Sequence, residues 1–454
     1  MGSLAGLLAG RGFTVTGSDA DTYPPMSDEL ARLGIPVKEG FRAQNVAHRP
    51  DLVVVGNVCR ANHPEAVAAR EAGLHLVSMP HALHDLFLRN GKPVVIAGTH
   101  GKTTTTALTA FLLQRCGRDP SVLVGGVTAD FGCGYRLGSG PHFVIEGDEY
   151  DSAYFEKIPK FLSYAPACAV ITSVEHDHID IYPTEESYMN AFVSFAELVA
   201  DGPLVAFAGD AGVREVLRAA RLRCDVVTYG VDGDELPDAP DWLARPGKGG
   251  AFELEVQGRS AGGFATPLIG RHNLRNTVAA LALAHLGADI PLRALREALP
   301  FFGGVMRRQQ FIGEASDVRI YDDFAHHPTA VRVTLEALKE HVSPGRLIAA
   351  FEPRSATACR RLHQEAYAEA FGAADQVILA PVGRDLPAAE MLDTNQLARD
   401  LAQRGIPAQA AASHGDVLSR ILSIATAGDS VVFLSNGAFG GLKTRLLDAL
   451  GQRT

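Results

Sequence analysis

Residues 93–115, PVVIAGTHGKTTTTALTAFLLQR, constrain the fold more tightly than any other stretch of the chain. Residues 93–97 form a short apolar run rich in β-branched side chains, the pattern of a buried strand. GTHGKT at 98–103 breaks that pattern, and from Thr104 to Arg115 apolar residues return at helical spacing. Strand, glycine loop and helix in succession supply the context of a phosphate cradle. The glycines let backbone N–H groups face phosphate oxygens, and the helix N-terminus adds its positive dipole end. Lys102 then reaches the β- and γ-phosphates and the Thr103 hydroxyl ligates Mg²⁺, with Gly98, Thr99, His100, Gly101 and Thr104 around the same phosphates. The usual P-loop, G-x-x-x-x-G-K-[ST], is longer between its glycines than the run from Gly98 to Gly101, so this is a shortened variant. An ordinary strand-to-helix turn would not need the run of threonines behind the Gly-Lys pair.

The whole chain sets the outer limits. Its 454 residues suffice for roughly three domains. A formal net charge of −10 argues against non-specific binding to nucleic acid or to an anionic membrane. No apolar run has the length of a membrane span, and the short, interrupted start MGSLAGLLAGRG does not read as a signal peptide. Cys59, Cys116, Cys133, Cys168, Cys224 and Cys359 form no CxxC pair and read as reduced thiols of a cytoplasmic protein.

Residues 1–88 alternate helix and strand: a helix over 3–11, then strands over 13–19, 51–56 and 74–78. In such a doubly wound pattern ligands lie beyond the carboxyl ends of the strands, which singles out Ser18, Asp19 and Asn57 as substrate contacts. Asp19 stands about where a Rossmann domain carries the acid for ribose hydroxyls. The first strand and glycine turn of that unit are missing, which predicts that about a dozen native residues precede Met1. An in-frame apolar strand and glycine loop upstream in the gene would bear this out.

Residues 89–305 read as a second domain. Strands over 142–145 and 169–173 run into EGDEYD at 146–151 and VEHDHID at 174–180. Carboxylate oxygens and imidazole nitrogens are ligands for Mg²⁺ or a transition metal. A dense charge run is usually a solvated face, but these runs end strands beside a phosphate loop. GRHNLRN at 270–276 opens a helix on which Asn273 and Asn276 share a face; their amides suit an adenine edge, and helix capping by Asn273 accounts equally well for the motif.

Residues 306–454 read as a third α/β domain, with strands over 318–321, 347–351, 376–380 and 430–434 and a helix over 330–341. Arg354 at a strand end suits a carboxylate or makes a surface ion pair. His326 and His327 either ligate metal or belong to a helix-start loop.

Taken together, AGTHGKTTT, GRHNLRN, Met306-Arg307-Arg308 and YDDFAHHPTAV make the chain resemble the Mur ligase family of ATP-dependent ligases over essentially its whole length. GSDADTYPPMS, IEGDEYD, FEPRSAT and LSNGAFGG look more like the branch that joins UDP-N-acetylmuramate to L-alanyl-γ-D-glutamyl-meso-diaminopimelate in peptidoglycan recycling than the branch that adds L-alanine. The resemblance implies a three-domain architecture: a UDP-sugar domain at 1–88, an ATP domain at 89–305 and an acceptor domain at 306–454. It implies ATP and two Mg²⁺ ions, an acyl-phosphate intermediate, and no nucleic-acid or membrane partner. Lys102, Glu146 and His178 become the catalytic set, with Thr103 and Glu146 on one ion, Glu146 bridging to a second, and His178 on that second ion; Glu149 competes with Glu146. His272, Asn273 and Asn276 fall on the adenine side, Asp323 near the ribose, and Arg307 or Arg308 near the phosphates. His100 falls beside the muramoyl group, and His327, Arg354, Ser435 and Asn436 on the incoming peptide. Several relatives carry a carbamoylated lysine in the helix that reads SYMNAF at 187–192 here; this chain has no lysine there.

Overall fold

The computed structural model describes residues 1–23 and 26–452. Pro24 and Pro25, inside the GSDADTYPPMS landmark, lie outside the described residues. The protein is α/β, and its described residues form two compact units. One comprises Met1–His176, Thr184–Ala265 and Arg275–Gly303; the other comprises Asp177–Pro183, Thr266–Leu274 and Gly304–Thr454.

The first unit is built on a ten-stranded sheet. Its order is Arg259–Ala265, Ala251–Val256, Trp242–Pro246, Val226–Val231, Leu204–Phe207, Cys168–Ile171, Lys92–Ala97, His142–Gly147, Ser121–Leu123, Tyr135–Arg136. Pairings from Trp242–Pro246 to Ser121–Leu123 are parallel, and antiparallel strands close both ends. A strand flanked on both sides and covered on both faces must be apolar throughout. Residues 94–97 meet that demand, none more than 1% exposed. The following helix, Lys102–Arg115, is buried from Thr103 to Leu113. Two of its buried threonines bond back into the helix: Thr106 Oγ1 donates to Lys102 O at 2.8 Å and Thr109 Oγ1 to Thr105 O at 2.7 Å.

Near the N-terminus two parallel strand pairs form, Gly17–Asp19 with Val37–Glu39 and Val53–Val55 with Leu76–Ser78. The strand expected over 13–19 is shorter, because its ladder begins only at Gly17 opposite Val37. The helix expected over 3–11 is Gly2–Gly10, burying Leu4 and Leu7. Helix Met26–Arg32 is tied to the edge of the large sheet by Tyr135 Oη, which donates to Glu29 Oε1 at 2.6 Å.

The second unit carries a six-stranded sheet in the order Gln310–Ala315, Val318–Asp323, Ser430–Leu434, Leu347–Phe351, Gln376–Leu379, Ala408–Ala410, parallel except at the first pair. Helices Pro328–Val342, Gln364–Ala370 and Thr394–Gln403 pack on one face, and His414–Ile424 and Leu442–Gly451 on the other. The last strand returns between two whose outgoing helices lie on the opposite face. That arrangement is a topological switch point, and it gathers the carboxyl ends of three strands. No helix among the described residues is long and apolar enough to cross a membrane.

Candidate active site

The phosphate loop is laced to the end of its neighbouring strand. Thr99 N donates to Ser173 O at 2.9 Å, and Thr172 Oγ1 donates to His100 O at 2.5 Å. The Thr99 hydroxyl lies 3.0 Å from both Glu175 O and Tyr188 Oη. Gly98 and Gly101 adopt positive φ, 135° and 82°. A Cβ on Gly98 would stand 2.1 Å from Thr172 Oγ1, and one on Gly101 would stand 2.4 Å from Asn276 Oδ1. Both positions therefore need glycine for conformation and for space. Asn276 reaches the phosphate loop itself.

The acids at 146–151 sort into separate tasks. Glu146 accepts from Thr103 Oγ1 at 3.0 Å and from Gly125 N at 2.8 Å. Glu149, 1% exposed, accepts from Lys102 Nζ at 2.9 Å. Asp148 pairs with Lys160 at 2.6 Å and Asp151 with Lys157. Burial opposes charge on Lys102, yet Glu149 and Glu146 more than offset it and raise its pKa above the ordinary lysine value. A hydroxyl and a carboxylate oxygen held side by side, as in Thr103 and Glu146, fit a hard cation such as Mg²⁺. His100 Nε2 lies 2.7 Å from Glu175 Oε2.

Other expected site residues belong to the second unit. Asn273 belongs to the second unit, where its amide donates to Ile269 O and Gln309 Oε1, each at 2.9 Å. It lies inside helix Arg271–Ala288, after the first residue, so it is not the residue that caps the helix, and its side chain donates back to a carbonyl. His272 lies near Gly270, whose Cβ would stand 3.1 Å from its Cε1.

His178, in the left-handed region at φ 55°, is in the second unit with Asp177, His326 and His327. Burial pushes the Asp177 carboxyl up, but His178 and then His327 outweigh it and hold the group down at about 2. His327 precedes helix Pro328–Val342, as the helix-start reading has it.

At the strand ends of the second unit, Asp323 is buried and accepts from Gln309 N and Ala325 N, each at 2.7 Å. Burial raises its pKa despite Arg308. Arg307 donates to Ser435 O and Gly437 O, each at 2.5 Å, and Arg307 and Arg308 both stack 5.0 Å from the Phe324 ring centroid. The Ser435 hydroxyl, 1% exposed, donates to Glu352 Oε2 and accepts from Gly437 N at 2.8 Å. Glu352 also pairs with His414 Nε2 at 2.9 Å. Asn436 Oδ1 is buried without a hydrogen-bond partner among the described residues. Arg354 is exposed and makes no ion pair among the described residues, so the surface ion-pair reading fails there.

In the N-terminal segment Ser18 Oγ donates to Glu65 Oε2 at 2.6 Å, and Asp19 accepts from Ala20 N at 2.7 Å. Asn57 is exposed on the turn after strand Val53–Val55. Sequence reasoning had not singled out Glu65, Glu175, Tyr188, Glu352 or His414 as partners of these groups. Glu175 and Glu352 stood in strand-end motifs that carried a signal; Glu65, Tyr188 and His414 had none.

A parallel α/β architecture with a shortened phosphate loop backed by two carboxylates defines a nucleotide-using ligase class. Residues 1–90 match the Mur ligase family catalytic domain, 96–284 the Mur ligase middle domain and 307–437 the Mur ligase glutamate ligase domain. The chain belongs to the Mur ligase family of ATP-dependent amide-bond ligases, and it is an enzyme.

It is 35% identical over 457 residues to the UDP-N-acetylmuramate–L-alanyl-γ-D-glutamyl-meso-2,6-diaminoheptandioate ligase of Escherichia coli K12, covering 100% of this chain and 96% of that protein. It is 34% identical over 461 residues to the UDP-N-acetylmuramate–L-alanine ligase of Paenarthrobacter aurescens TC1, covering 99% and 95%. A solved murein peptide ligase of Psychrobacter arcticus 273-4 superimposes with TM-score 0.73 at 31% identity, covering 100% of this chain and 97% of that one.

Proposed function

We propose that the protein joins UDP-N-acetylmuramate to L-alanyl-γ-D-glutamyl-meso-diaminopimelate at the expense of ATP, in peptidoglycan recycling. The observation that carries the nucleotide half is the loop in which Lys102 and Thr103 stand against Glu149 and Glu146. The acceptor half rests on the full-length similarity to the tripeptide ligase. In this reading residues 1–88 bind the UDP-sugar, 89–305 bind ATP and 306–454 bind the peptide.

A carboxylate does not acylate an amine directly, because its leaving group is oxide. The muramoyl lactyl oxygen attacks the γ-phosphorus, the bond to the β-phosphate oxygen breaks and ADP leaves. Lys102 neutralises charge developing on the transferred group, and the loop N–H groups orient it. Thr103 and Glu146 would hold Mg²⁺, which would further neutralise the phosphates; in this reading His178 would hold a second ion. The peptide α-amine then attacks the acyl carbon, the C–N bond forms, inorganic phosphate leaves and the amine proton is lost. Arg354 and Asn436 orient the peptide through a carboxylate and an N–H group.

The test is phosphate release with ATP, Mg²⁺ and UDP-N-acetylmuramate, offering either the tripeptide or free L-alanine. Release with the tripeptide alone is expected. Release with L-alanine alone would transfer the protein to the biosynthetic branch, which the comparable identity to the L-alanine ligase keeps in view. Silence with both would point to an acceptor other than these two.

A further inference from the structure

The phosphate loop binds its own lysine. An ammonium has three N–H donors. Those of Lys102 face Gly98 O at 2.5 Å, Thr99 O at 3.3 Å and Glu149 Oε1 at 2.9 Å. Nζ therefore already has a full set of acceptors inside the protein, and a phosphate oxygen reaches it only by replacing one. The two carbonyls belong to a loop whose path is set by Gly98 and Gly101 and by bonds to Ser173 and Thr172. Displacing a carbonyl means refolding that loop. Glu149 is a side chain, and it is the anionic member of the set. Exchanging its carboxylate for a phosphate preserves the charge balance around a lysine side chain that is 13% exposed.

We propose that the Glu149 carboxylate and a nucleotide phosphate compete for the same N–H of Lys102: Glu149 yields that donor to bound nucleotide and takes it back as ADP leaves. The proposal rests on the reading of this loop as the ATP site. It makes Glu149 a positioning residue acting through Lys102 and leaves the metal to Glu146, whose two oxygens face Thr103 and Gly125. It thereby decides between two carboxylates that sequence motifs alone left in competition.

Glu149→Gln keeps an acceptor oxygen and removes the charge. ADP affinity, measured by calorimetry without Mg²⁺, is expected to tighten about tenfold, within the range of coupling between contacting groups. In turnover, KM for ATP and kcat should fall together because product leaves more slowly, and the Mg²⁺ concentration for half-maximal rate should not move. Glu146→Gln is expected to do the reverse, raising the Mg²⁺ requirement without tightening ADP. Unchanged or weaker ADP binding by Glu149→Gln, or a raised Mg²⁺ requirement, would overturn the proposal. Should that variant not fold, Glu149→Asp carries the same test. Its carboxylate is drawn back by one methylene, so a smaller tightening is expected and an unchanged affinity again overturns the idea. Failure of the wild-type protein to bind ADP at all would instead defeat the ATP reading of the loop, and this proposal with it.

Discussion

At the phosphate loop, Lys102 and Thr103 are held by the side chains of Glu149 and Glu146. At the strand ends of the second unit, Arg307 is held by the carbonyls of Ser435 and Gly437, and Ser435 by Glu352 and the Gly437 N–H. Both clusters are polar and lie at the carboxyl edge of a parallel sheet. In the first, Lys102 hydrogen-bonds a carboxylate as well as two loop carbonyls; in the second, Arg307 hydrogen-bonds carbonyls of the turn at 435–437. Glu149 and Glu352 are both buried, so the clusters differ in the partner that the cation hydrogen-bonds and not in burial.

The largest effect that would break this comparison belongs to Lys102. Lys102→Ala should reduce ADP formation about a thousandfold, the scale for losing a charge-stabilising donor. It should also lower the Tm, because Glu149 is left buried without its cation. Substantial residual turnover would remove the loop from the chemistry.

The second unit should answer differently at its two kinds of polar residue. Ser435→Ala orphans a donor and an acceptor and should cost about 2 kcal/mol in urea unfolding, with little change in acceptor KM. Arg354→Ala should leave stability intact and raise the peptide KM about tenfold, the worth of one charge-assisted hydrogen bond. If the two variants exchanged these signatures, the division between architectural and ligand-directed groups would fail.

The smallest effect lies at the docking of helix Met26–Arg32. Tyr135→Phe should cost about 1 kcal/mol at neutral pH. Glu29 is held down at about 2, from an ordinary 4.5, by its hydrogen bonds to Arg32 first and to Tyr135. A depressed carboxyl stabilises the fold above its unfolded value and loses that contribution as pH falls through the folded one. The stability gap between wild type and Tyr135→Phe should therefore be full at neutral pH and shrink between pH 4.5 and about 2. A gap independent of pH would show that the bond to Glu29 is not what the hydroxyl contributes.

The α/β class and the strand, loop and helix around Lys102 were legible because they are written in consecutive residues. Periodicity names the elements, and glycine marks the positions where φ must be positive. Expectations drawn from flanking motifs held less far. The strand expected over 13–19 pairs only at Gly17–Asp19, since a strand exists only where a neighbour offers its hydrogen bonds. Helical spacing put Asn273 and Asn276 on one face, and both lie in helix Arg271–Ala288, but spacing did not show that one amide meets Ile269 and Gln309 while the other stands by Gly101. The family resemblance put Ser435 on the incoming peptide; the contact of its hydroxyl with Glu352, remote in sequence, was not legible.

The sequence by itself determined which residue types stand at the ends of strands, because that order is local and needs no knowledge of neighbours. Only the tertiary structure decided which of them meet. Glu146 and Glu149 differ by three positions, and nothing in EGDEYD says which reaches Thr103 and which reaches Lys102. Glu146 is aimed by the register of His142–Gly147 beside Lys92–Ala97, a pairing of segments remote in sequence whose side-chain directions are set by the pleat of the sheet, and Glu149 by the loop that follows that strand.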